Sequence, residues 1–242
     1  MKWRIDISMK KFLFVIVALL VVNSAFSQVI FGIKAGINVS SLSDFEQSVM
    51  SIRRVSVKMF VKDGMSTGFH AGSFVNFSLG NVIGLQPELL ISQQGGKQKP
   101  NPSLKQYGSG LPDDLKISCQ FAYLHLPILL EIKPVANFGI LMGPQLGLNF
   151  YKKYTETQGI YTSSVSDSDF DEEFGNSFKN FDAGIVFGLQ CKLMNKITIG
   201  ARYNLGLTNC LDGNMDIDMN NIGLKGWKNN VLQVSLGILL NN

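Results

Sequence analysis

The stretch KITIGARYNLGLTN, from Lys196 to Asn209, decides the fold. Its alternate residues Ile197, Ile199, Ala201, Tyr203, Leu205 and Leu207 are apolar or aromatic. The intervening set is Thr198, Gly200, Arg202, Asn204, Gly206 and Thr208. A period of two with one apolar and one polar face is the pattern of a β-strand, since a helix repeats every 3.6 residues. Which face is enclosed separates two kinds of protein. A water-soluble sheet turns the apolar face to a core, whereas a membrane barrel turns it to lipid and encloses Arg202.

Seven other segments repeat this alternation: 30–42, 66–79, 82–95, 117–132, 138–152, 180–193 and 230–240. In FGIKAGINVS, Phe31, Ile33, Ala35, Ile37 and Val39 oppose Gly32, Lys34, Gly36, Asn38 and Ser40. Three connections are short: Gly80-Asn81, Lys133 to Asn137, and Met194-Asn195. The other four, 43–65, 96–116, 153–179 and 210–229, are long. Short and long connections in strict alternation are the plan of outer-membrane barrels, with turns at the periplasm and loops outside. The chain therefore reads as all-β, an eight-stranded antiparallel up-and-down transmembrane β-barrel over residues 28–242.

The side-chain inventory assigns the faces. The polar sets contain Lys34, His70, Glu88, His125, Glu131, Asp182, Lys192 and Arg202, together with many glycines such as Gly36, Gly72, Gly143 and Gly188. Eight strands enclose room for side chains and little more. Small and polar residues fit that space, while Phe and Leu from all eight strands would overfill it. Polar-in and apolar-out follows. Charges enclosed in such a space are costly unless paired, so Lys34, Glu88, Glu131, Asp182, Lys192 and Arg202 are expected to form a lumen charge network, with Glu88 and Glu131 as partners of Arg202. Phe31, Phe77 and Phe138 fall at one end of the apolar faces and Phe69, Phe150 and Phe181 at the other, as two interfacial belts require.

The first 27 residues read differently. Lys2, Arg4, Lys10 and Lys11 against Asp6 carry a net +3 of the chain's +4, so the basic balance says nothing about nucleic acid. Two lysines precede the apolar run Phe12–Val22, and Ala25 and Ser27 stand before a cut at Gln28. This is the build of a secretory signal peptide, residues 1–27, with Met9 an alternative start and an uncleaved anchor the competing reading. The run of 11 residues is short for a membrane helix, which needs about 20. Cys119, Cys191 and Cys210, odd in number and widely spaced, make neither a disulfide framework nor a metal site and read as small apolar residues.

The phrases FGIKAGINVSSL, GFHAGSFVNFSLG, IGLQPELLISQQGGK, YLHLPILLEI, GPQLGLNF and IGARYNLGLTN resemble the PorT-like outer-membrane β-barrel family. The resemblance covers residues 28–240. It implies an eight-stranded barrel in the outer membrane of a Gram-negative cell, in a family some of whose members are tied to protein secretion. The ending GILLNN departs from the aromatic terminal residue usual in such barrels.

Chemistry is sparse. His70 and His125 lie on polar faces, and no GxSxG or other nucleophile motif accompanies them, so they read as hydrogen-bonding lumen histidines and the chain as non-catalytic. The acidic run DSDFDEEF, Asp167 to Phe174, starts like a calcium loop, but its sixth position is Glu172 and its twelfth Phe178, where Gly and Glu are required. A solvated loop is the reading, with no metal and no cofactor. Arg53 and Arg54, with Lys58 and Lys62, are candidate contacts for lipid phosphates at the outer rim. QQGGKQKPNP, Gln93 to Pro102, reads as a flexible polar loop. The resulting expectation is an interaction protein whose four external loops recognise a partner or serve an envelope or secretion-associated assembly. Outer-membrane lipid and other envelope proteins are the expected partners. The alternatives are a lipid-modifying enzyme using His125 or His70, and a secreted lipocalin-like barrel with its apolar face inside.

Overall fold

The computed structural model describes residues 29–43, 49–52, 55–58, 60–102, 112, 114–166, 179–194, 196–209 and 228–241. The segment 1–27, Arg53 and Arg54, the run 167–174 and Cys210 lie outside the described residues. Eleven strands are described: β1 (Val29–Leu42), β2 (Val49–Ile52), β3 (Val55–Lys58), β4 (Phe60–Leu79), β5 (Ile83–Pro100), β6 (Lys116–Val135), β7 (Phe138–Gln158), β8 (Tyr161–Ser166), β9 (Phe181–Leu193), β10 (Ile197–Gly206) and β11 (Asn229–Leu239).

Eight of them close a ring. In circular order β1 pairs with β4, then β5, β6, β7, β9, β10 and β11, and β11 returns to β1; every pairing is antiparallel. All consecutive ring strands are neighbours, so the topology is up-and-down, and every ring strand is paired on both sides within the closed barrel. The tight turn at Gly80 takes φ 85°, and Met194 takes φ 49°.

Three of the expected loops shrink because strands continue into them. β4 begins at Phe60, β5 runs to Pro100 and β7 to Gln158. β8 folds back on β7 across Gly159, whose φ of 58° suits the turn, and β2 pairs with β3 as a separate hairpin within 43–65. The reading of Gln93–Pro102 as a flexible loop is corrected. Its residues through Pro100 belong to β5 and pair with β4 and β6, with Gln94 and Gln98 turned inward and buried. Polar composition could not separate a loop from a strand there, because the wall above the membrane has no lipid to face. β4 and β6 have 20 residues each and β7 has 21, against 10 in β10 and 11 in β11. At about 3.3 Å per residue and a tilt near 40°, the long wall stands roughly 50 Å high and the short wall roughly 28 Å. One side of the barrel therefore rises well beyond a bilayer on the loop side.

The faces are as the alternation requires. Ile33, Ile37, Leu89, Ile91, Leu124, Leu126, Leu146, Leu148, Phe187, Leu189, Ile199, Leu205, Val234, Leu236 and Ile238 point outward and are exposed. Phe31, Phe69, Phe150 and Phe181 are exposed outward among them. Lys34, Asn38, His70, Gln86, Glu88, Glu131, Gln145, Asp182, Arg202, Asn204 and Gln233 are buried inside. A soluble ligand-binding barrel needs the opposite arrangement. A continuous apolar exterior on a closed barrel is stable only against hydrocarbon. The interior is not uniformly polar, however. Phe74, Leu90, Phe121, Tyr123, Leu129, Leu141 and Val231 are buried in it as well. They fill space between the polar layers, and Leu129, Leu141 and Val186 pack together.

The seam between first and last strand is finished by a side chain. Leu240 N donates to Phe31 O at 2.8 Å. Beyond it Asn241 Oδ1 accepts from Phe31 N at 2.6 Å and its Nδ2 donates to Val29 O at 2.7 Å. The carboxamide carries the ladder to the first residues of β1 after the backbone of β11 has ended.

Candidate functional site in the barrel lumen

Lys34 on β1, Glu88 on β5 and Arg202 on β10 come from three sides of the ring and meet at its centre. Lys34 Nζ donates to Glu88 Oε1 and Arg202 Nη1 to Glu88 Oε2, each at 2.6 Å. Each of the three side chains is at most 5% exposed. Gln86 Nε2 adds a bond to Glu88 Oε1 at 2.9 Å, and Arg202 Nε donates to Gln233 Oε1 at 2.6 Å. The lysine ammonium also stands 5.7 Å from the centroid of the Phe74 ring. One carboxylate thus receives two cations and an amide, the pairing that buried charge demands, while Arg202 Nη2 is left without a hydrogen-bond partner.

The polar layer extends in both directions. Outward, Gln233 Nε2 donates to Asn38 Oδ1 at 2.8 Å, and His70 Nδ1 meets the same oxygen at 2.7 Å. Asn38 Nδ2 reaches Ser92 Oγ at 3.0 Å, Ser92 Oγ accepts from Gln94 Nε2 at 3.3 Å, and Gln94 Oε1 accepts from Asn229 Nδ2 at 2.7 Å. His125 Nε2 faces Gln94 Nε2 at 2.5 Å, and its ring lies against Tyr123. Inward, Asn76 Nδ2 joins Gln86 Oε1 at 3.0 Å to Glu131 Oε2 at 2.6 Å, and Lys133 Nζ lies 3.2 Å from the same carboxylate oxygen. The result is one hydrogen-bonded chain from Asn229 at the loop end to Lys133 at the turn end.

This geometry sorts the expected network. Glu88 partners Arg202, while Glu131 does not. The strand register places Glu131 at the turn end, opposite Leu141, where Lys133 and Asn76 take its carboxylate. Asp182 sits near the other end and accepts from Thr208 Oγ1 at 2.6 Å. Lys192 lines the mouth at the turn end. The six charges therefore form three groups at different heights. Sequence reasoning missed Asn38, Gln233 and Gln94, which carry more connections than the histidines. The signal was present, since each falls in a polar set.

Glycines make the room. A Cβ at Gly36 would lie 2.7 Å from His70 Cε1 and 2.0 Å from Val234 O. One at Gly139 would lie 2.5 Å from Glu131 Oε1. Both are distances that real Cβ contacts do not reach, so the large polar groups occupy the space that glycine leaves. Chemically the centre of the lumen is a buried electrostatic core. Both histidines are 1% exposed and engaged by carboxamides. Among the described residues no group of three or more His, Cys, Asp or Glu side chains could hold a metal.

A closed antiparallel barrel with an apolar exterior and an ion-paired lumen defines an integral membrane β-barrel. Residues 24–212 match the family described as outer membrane protein beta-barrel domain, and the chain belongs to that family. It is an outer-membrane protein. The chain is similar to solved structures of Ail, the attachment invasion locus protein of Yersinia pestis, at 13% identity over 88% of this chain and 99% of that one, TM-score 0.44. It is similar to Neisserial surface protein A at 9% identity over 86% and 96%, TM-score 0.44. OprG from Pseudomonas aeruginosa aligns at 12% identity over 88% and 96%, TM-score 0.39. No curated protein matches the chain.

Proposed function

We propose that the chain is a non-catalytic interaction barrel of the PorT-like type, anchored by its lipid-facing strands and recognising partners through what stands above them. The observation that carries this reading is the contrast between the two parts of the molecule. A continuous hydrogen-bonded chain from Asn229 to Lys133 runs through the lumen, and each histidine meets a carboxamide through one ring nitrogen inside it. The wall of β4 to β8, by contrast, rises beyond the bilayer with Tyr161 77% and Ile160 90% exposed. Buried polar groups bonded to one another favour a structural role for the lumen, while an exposed wall offers area for contact. The partners are outer-membrane lipid, with Arg53 and Arg54 at its phosphates, and other proteins of the envelope.

The test is affinity purification from detergent-solubilised membranes with the full chain and with a variant whose 159–166 segment is replaced by a short Gly-Ser turn. The expected result is a co-purifying envelope protein lost from the trimmed variant, which still shows the mobility shift of a folded barrel on unboiled gels. Identical co-purification by both forms would overturn the reading. So would a change in membrane lipid composition that depends on His70 or His125.

A further inference from the structure

The outer face of the tall wall carries a charge pattern that the lumen does not explain. On β5 and β6, Gln98, Ile117, Cys119 and Phe121 are buried inside. Alternation therefore turns Lys97 of β5 and Lys116, Ser118 and Gln120 of β6 outward. The register extends this face over the neighbouring strands. Lys97 lies beside Ser118, Ser118 beside Thr155 of β7, and Thr155 beside Ser164 of β8. In the row beneath, Gln120 lies beside Lys153, and in the row above, Lys116 lies beside Thr157. At about 3.3 Å per residue and about 4.8 Å between strands, the backbone of Lys97 is about 8 Å from that of Lys116 and about 12 Å from that of Lys153.

The three lysines have no anion of their own. Among the described residues none of them is in an ion pair, whereas Lys99 close by is held by Asp63 at 2.8 Å. Glu156 does not compensate them, because it shares the inward face of buried Ile117. Asp114 stands at the top of the wall, against the turn at Gly159. Three like charges this close on an outer face attract a ligand that carries several negative charges.

Their height selects that ligand. The exposed apolar residues of β5, β6 and β7 end upward at Ile91, Leu124 and Phe150. With a strand tilt of about 40°, Lys153 stands roughly 8 Å above that limit, Lys97 roughly 15 Å and Lys116 roughly 20 Å. The polar layer of a phospholipid leaflet is only about 5–8 Å deep, so its phosphates reach Lys153 alone. Lys97 and Lys116 require anionic groups carried higher, and the hydroxyls beside them suit the sugars that would carry them. We propose that this face binds the phosphorylated head group of an outer-leaflet glycolipid of the lipopolysaccharide class, with its acyl chains on the apolar band beneath. The inference rests on the reading of outer-membrane lipid as a partner, and adds a site on the wall to Arg53 and Arg54.

The experiment titrates the dye-labelled full chain, in nonionic detergent micelles, with purified lipopolysaccharide whose core sugars are phosphorylated, read by thermophoresis. Saturable binding is expected. Each of Lys97→Gln, Lys116→Gln and Lys153→Gln should weaken it about fivefold and the three together roughly a hundredfold. Lys→Arg at the same three positions should keep the binding, which guards against a misfolded variant. Dephosphorylated lipopolysaccharide should bind the unaltered chain as weakly as the intact lipid binds the triple Gln variant. Lys228→Gln, on the short wall, should change nothing. Unchanged binding in the triple Gln variant, or an equal loss from Lys228→Gln, would overturn the proposal. So would equal affinity for phosphatidylglycerol, or for the deacylated core oligosaccharide, which would show a general lipid or a soluble anion instead. Co-purification of an envelope protein should survive in the triple Gln variant, so this proposal and the reading of the 159–166 segment fail separately.

Discussion

Glu88→Gln tests the central ion cluster at constant shape. The change removes the one anion that Lys34 and Arg202 share, each at 2.6 Å. Two cations then face one another across a neutral amide. Whether this matters depends on solvation. An exposed pair contributes roughly 0–1 kcal/mol, because water replaces the lost partner. A buried pair broken on one side costs about 3–5 kcal/mol, because the remaining charge has no such recourse. With side chains 5, 0 and 4% exposed for Lys34, Glu88 and Arg202, the buried value applies. It corresponds to a folded-to-unfolded ratio lowered roughly 10²- to 10⁴-fold. The assay is urea unfolding from lipid vesicles, followed by the mobility difference between folded and unfolded chain on unboiled gels. Lys34→Met placed on top of Glu88→Gln should recover more than half the loss, because it removes one of the two stranded cations. A Glu88→Gln cost below about 1 kcal/mol, or no recovery in the double variant, would refute the reasoning and show a solvated lumen.

The other structural features make their own tests. Val234→Arg, midway along the exterior of β11, should cost about 2–4 kcal/mol in vesicles, whereas Ile160→Arg above the bilayer should be neutral in the same urea titration. Gly72→Ala places a Cβ 2.0 Å from Leu89 O, a backbone atom that cannot step aside, so refolding yield should fall and stability drop by roughly 1–3 kcal/mol. Asn241→Ala removes the two bonds that finish the seam and should cost about 1–2 kcal/mol, seen as a lower temperature for the gel mobility shift.

The alternation around Arg202 and in the seven segments that repeat it was enough to place the eight ring strands and their faces within the membrane, because a period of two leaves each residue only two directions. It was also enough to bring Lys34, Glu88 and Arg202 into one enclosure, since a narrow lumen forces charges from polar faces together. It was weaker where both faces of a strand are apolar. In FAYLHLPILLEI of β6, Phe121, Tyr123 and Leu129 turn inward beside His125 and Glu131, and composition does not show which apolar residues fill the core. It failed where strands leave the membrane, as in QQGGKQKP, because no lipid imposes an apolar face there.

What the chain determined by itself is therefore local: which residues extend, and which side of each strand is greasy. The pairing of charges was decided by the closed ring. Strand stagger and tilt bring Glu88 to Arg202 from 114 positions away and carry Glu131 to the other end, against Lys133 two residues along its own strand. Height along a barrel depends on register summed over all eight strands, and no single strand contains that sum.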